Sequence, residues 1–367
     1  MIVPARQGPL AIGEAAPLIQ IQTNVEPEAE FGNLAGRHVL VCVLGRASAP
    51  VAAAALDALA AHLHLQDWQE RVFLAVTSSA DDAADARLRA LEAQILVARD
   101  TDRAALRAWG LLDRDGASMR PVWMLLDPML RLLGMWPLQD SGAALAAFAA
   151  LPSVEAHAGA PLQAPVLLLP RVFEPEFCRS LIAHAVARGS TPSGVTREIG
   201  GQTVLVPVPG MKRRRDCLVE DPALLAGIRQ RLAVRLLPAI RQAFQFKATR
   251  IERYVIGCYD AADAGGFSPH RDDTIPATAH RRFAVSLNLD AEAHAGGDLR
   301  FPEFGQRLYR PPTGGAVVFS CSLLHEATPV TAGRRHVFLP FLYDEAAEVL
   351  RSAPGIRFGA GFEAAAS

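Results

Sequence analysis

The chain has 367 residues, 50% of them hydrophobic and 20% charged, a composition that suits two globular domains with sizeable cores and excludes a disordered chain. Its formal net charge of −1 supplies no global field to attract nucleic acid or an anionic membrane. The five cysteines (Cys42, Cys178, Cys217, Cys258, Cys321) are scattered and form no C-x-x-C pair, which argues against a disulfide framework or a zinc site and fits a reducing, cytoplasmic setting. No charged start followed by an apolar core opens the chain, so no signal peptide is expected. The longest apolar runs, residues 39–44 and 166–169, are too short to span a bilayer.

Along the first part, strand-like and helix-like patterns alternate. Residues 38–45 read as a buried strand, 49–64 as an Ala/Leu-rich helix, 71–77 as a strand and 83–94 as a helix. Residues 95–98 then read as a short strand and 102–109 as a short helix. Residues 122–126 and 130–136 flank the turn at Asp127-Pro128, and 141–151 form a closing helix. A mixed sheet inside an α/β sandwich follows from this order. Apolar periodicity lapses over 153–164, a stretch rich in small residues and proline, so the expected domains are residues 1–152 and 165–367 with a linker between them.

Residues 10–151 resemble the thioredoxin-like fold, in particular peroxiredoxin-type domains. The resemblance rests on element order, on Gly36-Arg37-His38-Val39-Leu40-Val41, and on Arg120-Pro121-Val122-Trp123-Met124-Leu125-Leu126-Asp127. Such domains carry a reactive cysteine in the loop after the first central strand. Here that loop is Gly45-Arg46-Ala47-Ser48-Ala49-Pro50, without one. Cys42 lies inside the preceding strand pattern and reads as a small buried residue. The domain is therefore expected to be redox-dead, with a structural or partner-binding role.

The second part opens with an apolar run at 166–169, then a helix from Glu174 to about Arg188 and another over 222–244. Loops are expected over 189–216. Six short strand-like runs follow, at 250–257, 282–289, 297–301, 306–310, 316–320 and 335–343. Short strands at even spacing predict an antiparallel jelly roll, or double-stranded β-helix, with flanking helices. Within it, Gly265-Gly266-Phe267-Ser268-Pro269-His270-Arg271-Asp272 places an imidazole and a carboxylate two residues apart, which on a strand would share a face. His325 is a third ligand candidate; two histidines and one carboxylate on one face are the usual cage of non-haem Fe(II). The tripeptide alone is weak evidence, and its setting carries more. Gly296-Gly297-Asp298-Leu299-Arg300-Phe301 lies between the two halves, and His325 is followed by Pro329-Val330 and by Arg334-Arg335.

On these residues, 165–345 resemble an Fe(II)/2-oxoglutarate-dependent oxygenase of the prolyl 4-hydroxylase type. That family has His-x-Asp on one strand, a Gly-Gly turn, a distal His near Pro-Val, and a basic residue ten positions beyond it. The resemblance makes His270, Asp272 and His325 the iron ligands. It makes Arg335 the anchor for the distal carboxylate of 2-oxoglutarate, a role that suits a two-pronged guanidinium. Arg334 is the competitor, since adjacent strand residues face opposite sides; family spacing favours Arg335. Asp273 competes in the same way with Asp272. Tyr259 sits where relatives often place a tyrosine on 2-oxoglutarate, whereas Phe267 departs from the tyrosine of several relatives. Ser286, Asn288 and Ser320 are candidate pocket residues.

The activity implied is hydroxylation of an aliphatic carbon in a peptidyl or small-molecule substrate, consuming 2-oxoglutarate and O2 and releasing succinate and CO2, with ascorbate as a reductant. Because Asp272 is kept where halogenases of this kind have a small residue, hydroxylation is expected over halogenation. Two alternatives stay open: a cupin-like metal dioxygenase using no 2-oxoglutarate, and a non-catalytic interaction protein that docks a partner through its first domain. His62, His64, His184, His280, His294 and His336 read as ordinary surface or core residues. Lys212-Arg213-Arg214-Arg215 reads first as a solvated loop and second as an anionic-substrate site. Without interleaved aromatics it does not read as a nucleic-acid surface.

Overall fold

A computed structural model describes residues 8–26, 29–113, 115–116, 118–199 and 202–352. Residues 353–367, the end of the expected second domain, lie outside those described. The chain separates into two compact units. One holds residues 1–163 with 302–306, the other 164–301 with 307–367. No helix among the described residues is long and apolar enough to cross a membrane.

The first unit is built on a five-stranded mixed sheet. Its strand order is Leu96–Arg99, Arg71–Thr77, His38–Gly45, Val122–Leu126, Leu132–Pro137, the first two pairings parallel and the last two antiparallel. Central position explains the unbroken apolar run: Val39 to Val43 are fully buried because both faces of the strand are covered. Leu40, Cys42 and Leu44 meet Leu56 and Leu59 of the helix Pro50–Ala61 and Leu145 and Phe148 of the helix Ser141–Ala149. The helix expected over 83–94 is shorter. A 3-10 turn at Ala80–Ala84 ends where Asp85 caps Ala86–Leu91, its carboxylate accepting from the amides of Arg87 and Leu88. Burial pushes the Cys42 thiol far above its ordinary pKa, as expected of an inert core residue.

Among the described residues, the second unit holds two large antiparallel sheets and a separate two-stranded one, Val195–Ile199 with Gln202–Val206. The larger, of ten strands, runs Arg250–Ile251, Phe341–Tyr343, Phe283–Asn288, Val330–Phe338, Val255–Asp260, Arg215–Leu218, Thr191–Pro192, with His294–Gly296, Ala316–Ser320 and Leu167–Leu169 branching from it. The smaller has five, in the order Lys212–Arg213, Gly266–His270, His325–Ala327, Leu299–Arg300, Leu308–Tyr309. Alternation sorts the side chains of the larger sheet. Val285, Leu287 and Phe338 pack against Cys178 and Leu181 of the helix Pro175–Arg188 and against Ile228, Leu232, Leu236 and Ile240. Tyr259, Val330 and Val337 point the other way, to Ala327 and Phe267 of the smaller sheet.

Several expected elements are reshaped. The helix expected over 222–244 is interrupted: Pro222–Arg231 leads into a π-turn at Leu232–Leu236 before Leu237–Phe244. Pro238 lacks the N–H that would continue the regular ladder, and its ring crowds the turn before it. The run 250–257 is two strands broken over residues 252–254, the second reaching Asp260. The run 335–343 begins earlier, at Val330, and breaks at Leu339-Pro340, where proline cannot donate to the ladder. The expected loops over 189–216 hold strands at Thr191–Pro192, Val195–Ile199, Gln202–Val206 and Lys212–Arg213, and a further strand begins at Arg215; residues 200 and 201 lie outside those described.

Candidate metal centre

His270 closes the strand Gly266–His270 and His325 opens His325–Ala327. They are register partners, so their rings project on one face, with centroids 4.3 Å apart. Asp272 does not share that strand: it lies two residues past the strand end, where its amide donates to Cys321 O at 2.9 Å. A turn, rather than strand alternation, thus aims the carboxylate. Its Oδ1 lies 3.7 Å from His270 Nε2 and its Oδ2 3.4 Å from His325 Nε2. One donor atom from each of the three lies within 4.8 Å of the others. Asp273 is turned away onto the Ser322 hydroxyl.

The backbone sets the chemistry of both rings. His270 Nδ1 lies 2.8 Å from Ser268 O, and His325 Nδ1 lies 3.0 Å from Leu323 O. A carbonyl only accepts, so Nδ1 carries the proton in each neutral ring and the Nε2 lone pair faces Asp272. Burial, reinforced by His325, lowers the His270 pKa to about 3, which keeps the ring neutral. Burial raises the Asp272 pKa, but the electrostatic influence of His325 and His270, and then of Arg281 and Arg253, brings it net below its ordinary value. Two imidazole nitrogens and one carboxylate oxygen form a donor set that can hold a divalent cation.

Arg335 and Tyr259 are register partners on the larger sheet, both at 3% exposure. The Arg335 guanidinium donates to Ser286 Oγ at 2.9 Å and Asn288 Oδ1 at 3.4 Å, and no carboxylate among the described residues pairs with it. Arg334 points outward and pairs with Asp260 at 2.6 Å. Ser320 accepts from the Ser322 amide at 3.3 Å instead of joining this cluster. The Gly296-Gly297 turn has φ of +69° and +73°, and a Cβ at Gly297 would stand 3.0 Å from Arg335 Cδ, so glycine lets the chain pass beside the guanidinium.

The basic run departs from its first reading. Its residues alternate: Lys212 and Arg214 are buried at 9% and 7% exposure, while Arg213 and Arg215 face solvent. Arg214 forms a two-pronged pair with Asp216 at 2.6 and 2.7 Å and donates to Tyr259 Oη at 3.5 Å. Lys212 Nζ donates to Gly194 O at 2.8 Å and lies 4.9 Å from the centroid of Phe267, whose ring stacks on His270 at 3.5 Å. Period-two alternation was the available signal, hidden by four consecutive charges. The Glu252 cluster had none. Glu252 accepts from Arg281 Nε and Nη2 at 2.6 Å and lies 3.0 Å from His280 Nε2, while Arg281 also reaches Asp272 O at 3.2 Å.

No protein-family model matches the chain. The chain is similar to curated PKHD-type hydroxylases: 31% identical over 108 residues to one from Thioalkalivibrio sulfidiphilus, covering 27% of this chain and 48% of that protein. It is 32% identical over 92 residues to one from Synechococcus sp., covering 23% and 40%. The chain thus spans less than half the length of these relatives. Among solved structures, a Trichoplax adhaerens prolyl hydroxylase in complex with a hypoxia-inducible-factor peptide matches with TM-score 0.40 and 15% identity, over 51% of this chain and 87% of that one. A Pseudomonas putida prolyl 4-hydroxylase matches with TM-score 0.38 and 18% identity, over 50% and 94%. A Xanthomonas campestris bacterioferritin comigratory protein matches with TM-score 0.32 and 19% identity, over 38% and 95%.

Proposed function

We propose that this chain is an Fe(II)- and 2-oxoglutarate-dependent dioxygenase that hydroxylates an aliphatic carbon of a peptidyl or small-molecule substrate. The observation that carries the proposal is the convergence of His270, Asp272 and His325, with both Nδ1 atoms bound to main-chain carbonyls and both Nε2 lone pairs turned inward. These residues would hold Fe(II), and the bound ion supplies the activation of O2 that couples decarboxylation of 2-oxoglutarate to hydroxylation. Arg335 would bind the distal carboxylate of 2-oxoglutarate. Its burial without a carboxylate partner supports this role and disfavours a cupin-like reaction that needs no such acid. Ser286 and Asn288 hold the guanidinium in place, and Tyr259 lies 5.3 Å from it, ring centroid to guanidinium carbon, as a further cosubstrate contact. Asp272 would take the position on the ion that a halide would need, which favours hydroxylation. Ascorbate is the expected external reductant.

The catalytic domain would occupy residues 165–367 as a double-stranded β-helix, after a linker at 153–164. Residues 1–152 would form a thioredoxin-like domain that recruits substrate or a protein partner without thiol chemistry; the buried Cys42 and the cysteine-free loop over 45–50 support this. The test is succinate release from 2-oxoglutarate by the iron-loaded protein, lost in His270→Ala. Wild-type protein that binds iron yet never consumes 2-oxoglutarate, even uncoupled, would overturn the assignment.

A further inference from the structure

The second unit buries more cations than its own carboxylates neutralise. Arg214 is matched by Asp216 and Arg281 by Glu252, each through two short hydrogen bonds. Among the described residues, two buried cations, Arg335 and Lys212, have no carboxylate partner, and neither has the half-buried Arg253. Arg253 donates to Leu339 O at 3.3 Å and lies over the Phe341 ring at 4.3 Å. Lys212 differs from both in position and in what it lacks. It stands on the same sheet as His270, paired through Lys212↔Phe267, and one stacked ring separates its ammonium from the metal-site imidazole. Among the described residues, one of its three donors has a hydrogen-bond acceptor, Gly194 O. Burial, and then the charge of Arg214, hold its pKa well below the usual lysine range against the opposing pull of Asp216 and Asp272.

Charge bookkeeping separates the two carboxylate sources available at such a site. On the function proposed above, the divalent metal and Arg335 bring three positive charges, and Asp272 and the 2-oxoglutarate dianion bring three negative ones. The cosubstrate complex is therefore already neutral, and it leaves Lys212 uncompensated. An unpaired buried charge is costly, and a ligand of opposite charge relieves that cost. We propose that Lys212, braced on Phe267, is a substrate-recognition residue that binds a carboxylate of the primary substrate, so that the molecule hydroxylated is itself an acid, its anionic group a few bonds from the carbon oxidised.

The inference rests on the function proposed above, and the test keeps the two apart. Full-length protein is loaded with Mn(II), saturated with 2-oxoglutarate, and titrated with acetate while manganese-enhanced relaxation of the acetate protons is read. Saturable enhancement is expected in the wild type and in Arg213→Gln, whose side chain is exposed. It should weaken about tenfold or more in Lys212→Gln and Lys212→Met, the range for removing one partner of a buried charge pair. The 2-oxoglutarate affinity of both Lys212 variants should remain near wild type, since a different carboxylate is read. Ligand-free Lys212→Met should melt above the wild type, because it removes an unpaired buried charge and keeps the hydrocarbon stem. Failure to bind Mn(II) or 2-oxoglutarate sinks both proposals. Normal binding of both with no saturable acetate effect, or an effect unchanged in the Lys212 variants, overturns this one alone. So does a tenfold loss of 2-oxoglutarate affinity, which would make Lys212 a cosubstrate residue, or a lowered melting point in Lys212→Met, which would make it structural.

Discussion

Arg335 and Arg334 stand side by side with opposite fates, one buried among Ser286 and Asn288, the other on the surface with Asp260. Loss of a charge-assisted bond is worth about 1.5–3 kcal/mol, so Arg335→Ala should weaken 2-oxoglutarate binding roughly 10- to 100-fold, measured by calorimetry on the Mn(II) protein. Arg334→Ala should leave that affinity unchanged. His336 offers a separate test by pH. Burial opposes its charge, but the hydrogen bonds to Asp290 and Cys258 outweigh burial and raise its pKa to about 9 from 6.5. A raised folded pKa means the contribution is complete below pH 6.5 and lost as pH climbs through 9. The unfolding free energy from urea melts should fall across that window by at most about 3 kcal/mol, and Asp290→Asn should flatten the fall. At this scale residue type and spacing made the grouping of His270, Asp272 and His325 legible, and the structure brings the three together. Lys212 was not, because a run of four basic residues carries no mark of which two turn inward.

Among the elements, breaks matter more than lengths. Strands at 38–45, 71–77, 122–126 and 316–320 were legible to the residue because apolar composition and flanking turn residues change together there. The helix over 222–244 hid its π-turn, and the run 250–257 hid the interruption at residues 252–254 that turns Glu252 inward. Glu252 ties that break to Arg281 and His280, and Arg281 in turn to the Asp272 carbonyl. Glu252→Gln removes the charge that Arg281 balances in a buried pair, an operation that costs about 3–5 kcal/mol. The variant should show a markedly lower denaturation midpoint and, because Arg281 also holds the chain at Asp272, weaker Mn(II) binding. An unaltered Mn(II) affinity would mean that the Asp272 turn does not depend on this anchor.

For the molecule as a whole, two units imply two cores: one around Leu40, Phe73 and Phe148, the other around Phe173, Leu287 and Phe338. Separate cores should unfold in separate transitions, which calorimetry would resolve. A ligand stabilises only what it binds, so Mn(II) with 2-oxoglutarate should raise one melting transition and leave the other in place. A single transition shifting as one would show that the two cores melt cooperatively. The alternating order of the first part and the even strand spacing of the second were visible as periodicity. The grouping of residues 302–306 with the first unit was not, since it depends on a contact pattern remote in sequence.

The carbonyls of Ser268 and Leu323 hold the His270 and His325 rings, the two imidazoles of the candidate metal centre, in their tautomers. Every residue type brings the same carbonyl, so exchanging the side chain at position 268 or 323 leaves the anchoring atom present. Side-chain drift at those two positions is then nearly silent for metal affinity. An insertion or deletion between either carbonyl and its histidine would instead misdirect a lone pair, so the tolerance of this centre is set by chain length and curvature more than by composition.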